Sequence, residues 1–346
     1  MDLSTVIVKH WEMKLIESNI EILPQESGLE GIYKQIEIAA RTCYKSESFI
    51  KEGSAEKMVN ALIQRGHGSP LEHGTVYLTI PDREPDEFGR MSYGHMGVGN
   101  YGTNKYSMVT YRDYSQEPNE TQKDYCSKIP RTITYVTTNL RVLVENGWMD
   151  DLQYISEPTE YHEKRITLRM ICSRAVTHEV VRHRENMSYC QESQRYVNYN
   201  LDKFGNEITY IIPEWIYDVQ SEEASYKHRD YLMDLKGEEL IDELAKINES
   251  VCVWENQLKN AEACYMYLIN DTKGYKLKPQ EARGVLPNDC KTEIVITGSM
   301  SAWKHFFDLR CARTAHPDIR VIVWKIVDKF VELGYITEEE RLNYIK

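Results

Sequence analysis

The sequence predicts an α+β fold, because strand and helix periodicities both occur and follow no regular alternation. Residues 75–80 alternate apolar with polar side chains, as a half-buried strand does. Residues 31–44 and 238–270 instead repeat apolar side chains every three or four positions, as helices do. No internal repeat or clear boundary divides the 346 residues. We therefore expect one mixed domain, 1–346, with probable helical and loop insertions at 82–130 and 215–270.

The N-terminal half begins with a predicted helix over 31–44, whose apolar side includes Ile32, Ile36 and Ala40. The Gly/Pro-rich segment "HGSPLEH" at 67–73 then predicts a turn before the strand. Residues 82–130 are rich in Gly, Tyr and polar side chains and show little periodicity. We interpret them as a long loop or insertion, and ordered loops of that length are usually functional.

The middle of the chain predicts two helices. Residues 161–186 carry Ile166, Met170 and Val180 at loose helical spacing, which places Arg182 near a helix C-terminus, where the dipole favours a cation. Residues 238–270 show a steadier pattern of steps of four and three. This pattern predicts a long amphipathic helix packed on a partner element, with no chemical role of its own.

The C-terminal part predicts a strand over 292–299 that runs into a helix over 300–315, with Ser299 or Ser301 as the N-cap. Free backbone N–H groups at such a junction suit an anion or the edge of a flavin. Pro317 is predicted to open the last helix and Gly334 to end it.

Composition limits the function. The formal net charge of −12 argues against nucleic-acid binding through a generally basic surface. The N-terminus lacks a signal-peptide pattern, and no apolar run approaches the ~20 residues of a membrane span. The eight cysteines include no CxxC pair, so we expect a reduced, cytoplasmic protein without membrane contact.

One segment departs from the acidic background. Residues 181–200, "VVRHRENMSYCQESQRYVNY", contain Arg182, Arg184 and Arg195 but no lysine. Forked guanidinium groups suit bidentate recognition of phosphate or of a base rich in carbonyl groups. Two further arginines, Arg283 and Arg310, stand in separate segments. The pattern indicates arginine-based anion recognition, although a solvated charged surface remains the plain alternative.

Familiar catalytic motifs do not account for these residues. In "HEVVRH", His178 and His183 are five positions apart, whereas zinc binding on one helix face needs four, so we expect no metal. The sequence contains no P-loop, and the Gly-rich "GVGNYG" at 97–102 follows no predicted strand.

The order of these segments resembles the flavin-dependent thymidylate synthase family. That family has an RHR triplet followed by a Ser that leads into an Arg-Tyr pair, matched here by Arg182-His183-Arg184 and Ser193-Gln194-Arg195-Tyr196. Eight residues rather than the family's seven separate Arg184 from Ser193, and we place the extra residue among Glu185, Asn186 and Met187. Further similar segments follow in order: "AARTCYKS" (39–46), "HGSPLEH" (67–73), "TTNLR" (137–141), "ARGVLP" (282–287) and "FFDLR" (306–310).

The resemblance implies an enzyme that methylates deoxyuridylate (dUMP) reductively to thymidylate (dTMP). Methylenetetrahydrofolate would supply the carbon, and FAD reduced by NADPH would supply the hydride. The family is homotetrameric, with active sites shared between subunits. By match, Arg310 is the catalytic residue that stabilises charge on the uracil ring. The implied dUMP contacts are Glu179, Arg182, Gln191, Glu192, Ser193, Gln194, Arg195, Arg283 and Arg310. The implied FAD contacts are Ser69, Arg182, His183, Arg184, Gln191, Ser299, Ser301 and His305, while His73 is either a flavin contact or a packed loop residue.

Two other functions stay open at this point. A thiol-dependent pyrimidine nucleotide methyltransferase would use Cys190 or Cys311, each of which stands near arginines that lower a thiol pKa. An inactive nucleotide- or flavin-binding homologue is the other, because the family often has Asn-x-Arg where this chain has Ser299-Met300-Ser301.

Overall fold

The computed structural model describes residues 13–85, 91–93, 98–113, 132–201, 207–217, 237–270 and 276–344. The strands are β1 Lys14–Ile16, β2 Asn19–Ile22, β3 Thr75–Pro81, β4 Arg83–Pro85, β5 Met91–Tyr93, β6 Met108–Asp113, β7 Thr132–Asn139, β8 Arg165–Ser173, β9 Met187–Gln191, β10 Thr209–Ile211 and β11 Lys291–Ser299. The helices are α1 Gly28–Tyr44, α2 Ser54–Gln64, α3 Val98–Thr103, α4 Leu140–Asn146, α5 Arg174–Val180, α6 Glu214–Tyr217, α7 Glu238–Asn270, α8 Pro279–Ala282, α9 Met300–Arg310, α10 Pro317–Glu332 and α11 Glu338–Asn343. This mixture of helices and strands confirms the predicted α+β class.

A four-stranded antiparallel sheet in the order β2-β8-β11-β9 carries the segments with the predicted chemistry. Its register pairs Lys291 with Ser173 at one end and Ser299 with Arg165 at the other. A second sheet has the order β3-β7-β6, and β1–β10 and β4–β5 form two small pairs. Among the described residues, no helix is both long enough and apolar enough to cross a bilayer.

The largest core lies between the four-stranded sheet and helices α9 and α10. Trp303, Phe306, Phe307 and Phe330 are fully buried there and meet mostly edge to face. A second core joins α1 and α2 to β3 and β7. A third packs α7 against β10. α9 therefore rests on a rigid base, which fixes the position of Arg310 at its C-terminal end.

Most predicted elements are confirmed. The expected helix at 31–44 corresponds to α1, the strand at 75–80 to β3, the long helix to α7 and the strand at 292–299 to β11. Ser299 is the N-cap of α9, accepting a hydrogen bond from the Ala302 backbone N–H at 3.1 Å. Pro317 opens α10, and Gly334, with φ of 71°, follows its end. α10 is not the last helix, because α11 follows, and α9 stops at Arg310 rather than at residue 315.

The predicted helix over 161–186 is wrong. β8 occupies 165–173, and only the short α5 is helical. The core-facing side chains Ile166, Leu168, Met170 and Cys172 are 8%, 0%, 0% and 0% exposed, so burial recurs every second residue. That period belongs to a strand, and the helical spacing arose because both faces of this strand are largely covered.

The segment predicted as a loop, 82–130, contains regular structure. β6 pairs with β7, and the Tyr101 side chain of α3 is fully buried, donating a hydrogen bond to Asp151 at 2.6 Å. Residues 86–90, 94–97 and 114–131 lie outside the described part of the chain, as do 218–236 of the second predicted insertion. α7, in that second insertion, packs through Val251, Leu258 and Tyr265.

Candidate functional site

The edge strand β9 separates the two predicted binding segments. α5 ends at Val180, the RHR triplet follows in a turn, and β9 starts at Met187. Ser193 and Arg195 come after the other end of β9. A five-residue strand spans about 13 Å between its terminal Cα atoms. Within one chain, the RHR triplet and the Ser193–Arg195 segment therefore lie at opposite ends of the same strand.

Arg310 is held by two residues of the α5 region. Its Nε donates to His183 Nε2 at 2.9 Å, and one terminal nitrogen donates to the Glu179 carboxylate at 2.6 Å. The other terminal nitrogen donates to the Glu179 carbonyl oxygen at 3.4 Å. A guanidinium has five N–H groups, and two of those on Arg310 have no acceptor within the described part of the chain. They remain for a ligand.

His183 serves Arg310 as a neutral acceptor. Burial, together with the positive charge of Arg310 and the nearby His305, lowers the pKa of His183 to about 4. At neutral pH the ring is uncharged, and because Nε2 accepts, its proton lies on Nδ1. Phe306 packs edge-on against the ring at 4.7 Å. The single proton of the Tyr189 hydroxyl is shared between the carbonyl oxygens of Val180 (3.1 Å) and His183, which holds this turn.

The RHR triplet has a donor set that fits a dinucleotide cofactor. Arg182 and Arg184 are exposed, and no acceptor for either occurs among the described residues. Two free guanidiniums beside a neutral imidazole suit a pyrophosphate next to an aromatic ring system. His305 is exposed, 6.5 Å from the His183 ring. Ser69 is exposed, at the start of the 3-10 turn Ser69–His73, which packs against β9.

The junction between β11 and α9 does not offer the anion site that the sequence suggested. Its first three N–H groups are all engaged: Met300 with the Lys164 carbonyl (2.9 Å), Ser301 with the Glu163 carboxylate (2.8 Å) and Ala302 with Ser299. Ser299 is fully buried, and its hydroxyl lies 2.9 Å from that of Ser301. Both hydroxyls therefore complete the helix N-terminus.

At the other end of β9, half-buried Ser193 and exposed Arg195 form a polar surface. The Ser193 hydroxyl accepts from the Arg195 N–H at 3.3 Å. The Arg195 guanidinium lies 5.1 Å from the centre of the Tyr196 ring and donates to its hydroxyl at 3.1 Å. The Tyr44 ring lies 5.2 Å from that of Tyr196. A hydroxyl and a forked cation thus stand side by side, as a phosphate contact needs.

Three neighbouring residues that were predicted as substrate contacts point inward. Gln191 donates to the hydroxyls of Thr177 (3.0 Å) and Thr292 (3.2 Å). Glu192 and Gln194 are only 2% and 6% exposed. In this chain their side chains therefore pack beneath the surface and support the segment that bears Ser193 and Arg195.

Arg283 stands apart from the other predicted residues. It is exposed in the 3-10 turn Arg283–Val285, and no hydrogen bond or ion pair joins it to them in the described ranges. His73 is fully buried, 2.8 Å from the Thr297 hydroxyl, and burial lowers its pKa to about 3. It is a packed residue without access to a ligand.

Neither cysteine of the thiol hypothesis is a ready nucleophile. Cys190 is 3% exposed, and a hydrogen bond with the Cys43 thiol, followed by burial, raises its pKa well above the ordinary value. Cys311 is also 3% exposed, and burial raises its pKa to about 12. Thiolate nucleophiles need the opposite surroundings, namely access and positive charge.

The sequence reasoning missed a set of buried charges below Ser193, which we call the charge cluster: Lys45, Glu192, Lys291 and Glu293. One signal was present in the sequence. Lys291 and Glu293 stand two apart at the start of an otherwise apolar strand, so they share one face of it. Nothing in the sequence indicated that Lys45 belongs to the cluster, because its position there depends on the left-handed turn that ends α1.

Comparison with known proteins places the chain in a family. The family model described as thymidylate synthase complementing protein matches residues 29–82 and 113–333. A flavin-dependent thymidylate synthase from Pyrococcus furiosus is 32% identical over 161 residues, 46% of this chain and 52% of that protein. One from Mycolicibacterium gilvum is 31% identical over 205 residues, 59% of this chain and 69% of that protein. The chain spans about half the length of the first of these curated relatives.

Among solved structures, the UMP/dUMP methylase PolB from Streptomyces cacaoi, bound with 5-Br dUMP, covers 93% of both chains. Its 15% identity and TM-score of 0.38 are too low to bear on function. The family match does not depend on it, and it covers well over half of the 346 residues. The chain therefore belongs to the thymidylate synthase complementing protein family.

Proposed function

We propose that this protein is a flavin-dependent thymidylate synthase that methylates dUMP to dTMP. The observation that carries the proposal is the Arg310 site, in which a guanidinium is fixed by Glu179 and a neutral His183 and keeps two N–H groups for a ligand. The names of the curated relatives support the same activity.

Arg310 has the chemistry that activation of a uracil ring requires. C5 attacks the carbon donor as a nucleophile, so the ring must first carry negative charge on its carbonyls and N3, and a planar guanidinium can stabilise that charge by donating two hydrogen bonds to this edge. Glu179 and His183 fix the guanidinium before the substrate arrives, so little reorganisation is needed during the reaction. We assign Arg310 as the catalytic residue, with Glu179 and His183 orienting it.

Ser193 and Arg195 are proposed to bind the phosphate of dUMP. The phosphate-binding segment and the turn that holds His183 beside Arg310 lie at opposite ends of β9 in one chain. We therefore propose a homotetramer in which one site takes the phosphate-binding segment from one subunit and the Arg310 site from another. Arg283, exposed and away from both, is assigned to the nucleotide of a neighbouring subunit.

FAD is proposed to lie against Arg182, His183, Arg184 and His305, with Ser69 contributed from the other side of a subunit boundary. When bound, reduced FAD supplies the hydride that completes the methyl group. The exposed guanidiniums of Arg182 and Arg184 hold the pyrophosphate of FAD. His183 is neutral, so it adds no further charge beside the flavin ring. We further propose that NADPH is the reductant and that methylenetetrahydrofolate is the carbon donor. The protein is also proposed to be cytoplasmic and to have one catalytic domain over 1–346.

The decisive experiment measures dUMP-dependent NADPH oxidation by the purified protein, with and without methylenetetrahydrofolate, together with dTMP formation by mass spectrometry. We expect a yellow protein that forms dTMP only when all three small molecules are present. A colourless protein that still forms dTMP would favour the thiol enzyme. A yellow protein that binds dUMP but forms no dTMP would favour the inactive homologue.

A further inference from the structure

We propose that the charge cluster sets the affinity for the substrate phosphate by fixing the segment that bears Ser193 and Arg195. Lys45 and Lys291 are then positioning residues, which control phosphate binding without touching the substrate. The inference rests on the proposed function and adds to it a determinant of substrate affinity.

The cluster is compact and almost dry. Lys291 Nζ lies 3.1 Å from the Glu192 carboxylate and also pairs with Glu293. Lys45 Nζ lies 2.5 Å from the Glu293 carboxylate and 3.8 Å from that of Glu192. The side chain of Glu192 is 1% exposed and that of Lys45 is 12% exposed. At such burial, water screens the charges weakly, so each one depends on its partners.

The surroundings of Lys291 and Glu293 favour the charged form of each. Burial alone would lower the pKa of Lys291, but Glu192 and Glu293 outweigh it, and the net shift is upward. Burial would likewise raise the pKa of Glu293, but Lys291 and Lys45 outweigh it, and the net shift is downward. Two further residues lie at the margin of the cluster, Arg169 at 3.9 Å from Glu293 and Glu47 at 3.6 Å from Lys45, so positive and negative groups alternate throughout it.

The cluster and the main chain hold the residue immediately before Ser193. The Glu192 N–H donates to the Glu293 carbonyl at 2.8 Å, and the Glu192 carbonyl accepts from Arg174 at 3.4 Å. The Ser193 N–H donates to the Cys43 carbonyl at 3.0 Å. Glu192 is thus fixed by both its side chain and its backbone, and this fixes where the Ser193 hydroxyl points.

The end of α1 is shaped to reach the cluster. Lys45 has φ of 50°, a left-handed conformation that is unfavourable for a residue with a Cβ. That conformation ends the helix and leaves the Lys45 ammonium against Glu293, two residues after the Cys43 carbonyl that holds Ser193. α1 therefore holds the phosphate segment at two points, one by charge and one by backbone.

Removal of one ammonium leaves Glu192 and Glu293 to share the remaining lysine, so the cluster gains an excess of buried negative charge. That excess repels an incoming phosphate and loosens the segment that should bind it. A phosphate contact is made equally in the bound substrate and in the transition state, so its loss weakens binding but not turnover at saturation.

The test compares Lys291→Met and Lys45→Gly with wild-type protein loaded with FAD. We expect the Kd and KM for dUMP to rise at least tenfold while kcat stays within threefold and the flavin content is unchanged. Lys45→Gly removes the ammonium but accepts the left-handed conformation without strain, so it carries the test if Lys291→Met does not fold. Lys291→Arg keeps the charge and should restore most of the affinity. Arg341→Met on α11, which removes the ion pairs to Asp328 and Glu338, is the control and should leave dUMP binding unchanged.

A double-mutant cycle with Ser193→Ala separates positioning from general stability. If the cluster acts through Ser193, Lys291→Met should weaken dUMP binding much less in the Ser193→Ala background than alone. Equal losses in both backgrounds, or a lower Tm with unchanged dUMP affinity, overturn the inference and leave the proposed function intact. A wild-type protein that binds no dUMP overturns both.

Discussion

Arg310 shows how two neighbours can prepare one residue for a reaction. The Glu179 carboxylate balances its charge, and the depressed pKa of His183 leaves a lone pair for the Nε–H. These contacts and a third, to the Glu179 carbonyl oxygen, use three of the five N–H groups, so one N–H on each terminal nitrogen stays available. Family resemblance alone identified Arg310 and Glu179 from the sequence. Their ion pair could not be foreseen, because 131 positions separate them.

At the residue scale, Arg310→Lys should lose most of the dTMP-forming activity while FAD stays bound. Lysine keeps the charge but lacks the planar fork, and loss of one preorganised donor costs about 3 kcal/mol, or roughly 10²–10³ in rate. Steady-state kinetics and the flavin spectrum measure the two quantities. Arg313→Lys, at an exposed position just beyond α9, serves as the control. Turnover of the Arg310 variant within a few-fold of wild type would remove Arg310 from catalysis.

The cysteines should be dispensable for the reaction. Cys190→Ser and Cys311→Ala are each expected to keep most of their activity, because burial and raised pKa values make both thiols poor nucleophiles. The double variant should still form dTMP, and labelled dUMP should not become attached to either sulfur. Loss of turnover in a folded, FAD-loaded single variant would instead require a thiolate in the mechanism.

At the scale of elements, the sequence correctly predicted the type of elements that bury only one face. It failed for a strand that is covered on both faces. α7 and α1 bury one face each, so their periodicity predicted both helices from the sequence. β8 is covered on both faces, and its alternation was therefore hidden among apolar residues, so the sequence indicated a helix. The strands and helix within 82–130 were missed because their segments are too short to establish a period.

The packing of α1 depends on a glycine. A Cβ at Gly31 would lie 1.8 Å from the Glu26 carbonyl oxygen, a backbone atom that cannot move aside alone. Gly31→Ala should therefore lower the free energy of unfolding by about 3 kcal/mol, at the upper end of overpacking costs. Chemical denaturation measures the change. Gly99→Ala, in α3 with open space around it, should be neutral or slightly stabilising, and equal stability of the two variants would contradict this packing.

At the scale of the whole molecule, burial lowers the pKa of three histidines in the described part of the chain, namely His73, His162 and His183. His73 lies in the interior and His183 beside Arg310, and their pKa values are lowered to about 3 and about 4. An unfolded histidine takes up its proton near pH 6.5. Between that pH and the folded pKa, the unfolded chain binds more protons than the native one, so stability is full above pH 6.5 and falls as the pH drops towards 3.

The pH dependence of unfolding tests this burial. Each neutral histidine should contribute a slope of up to about 1.4 kcal/mol per pH unit between pH 6 and 4. Because glutamine does not titrate, His73→Gln should have a shallower slope than wild type, whatever its absolute stability. Unfolding by urea at a series of pH values gives both slopes. Parallel slopes for the two proteins would show that His73 is protonated normally in the native state.

The whole site also shows which residues can be predicted from a sequence when the tertiary contacts are unknown. The exposed residues Arg182, Arg184 and Arg195 were identified because their type alone suits an anion. The charge cluster was not, because a buried lysine is recognised only once its carboxylate partners are seen around it. Ser299 was assigned to flavin by resemblance, yet its full burial and its capping role give it a local task.

The turn at Asn186 determines where this chain can change length during evolution. Asn186 has φ of 51°, and β9 begins at the next residue, with Met187 paired to Gly298. A residue gained or lost before that point alters only the turn. The same event inside β9 would exchange its two faces and carry Cys190 and the segment after it away from α1. An extra residue in that turn, where we expect the additional residue between Arg184 and Ser193 to lie, would leave the alternation of the strand unchanged.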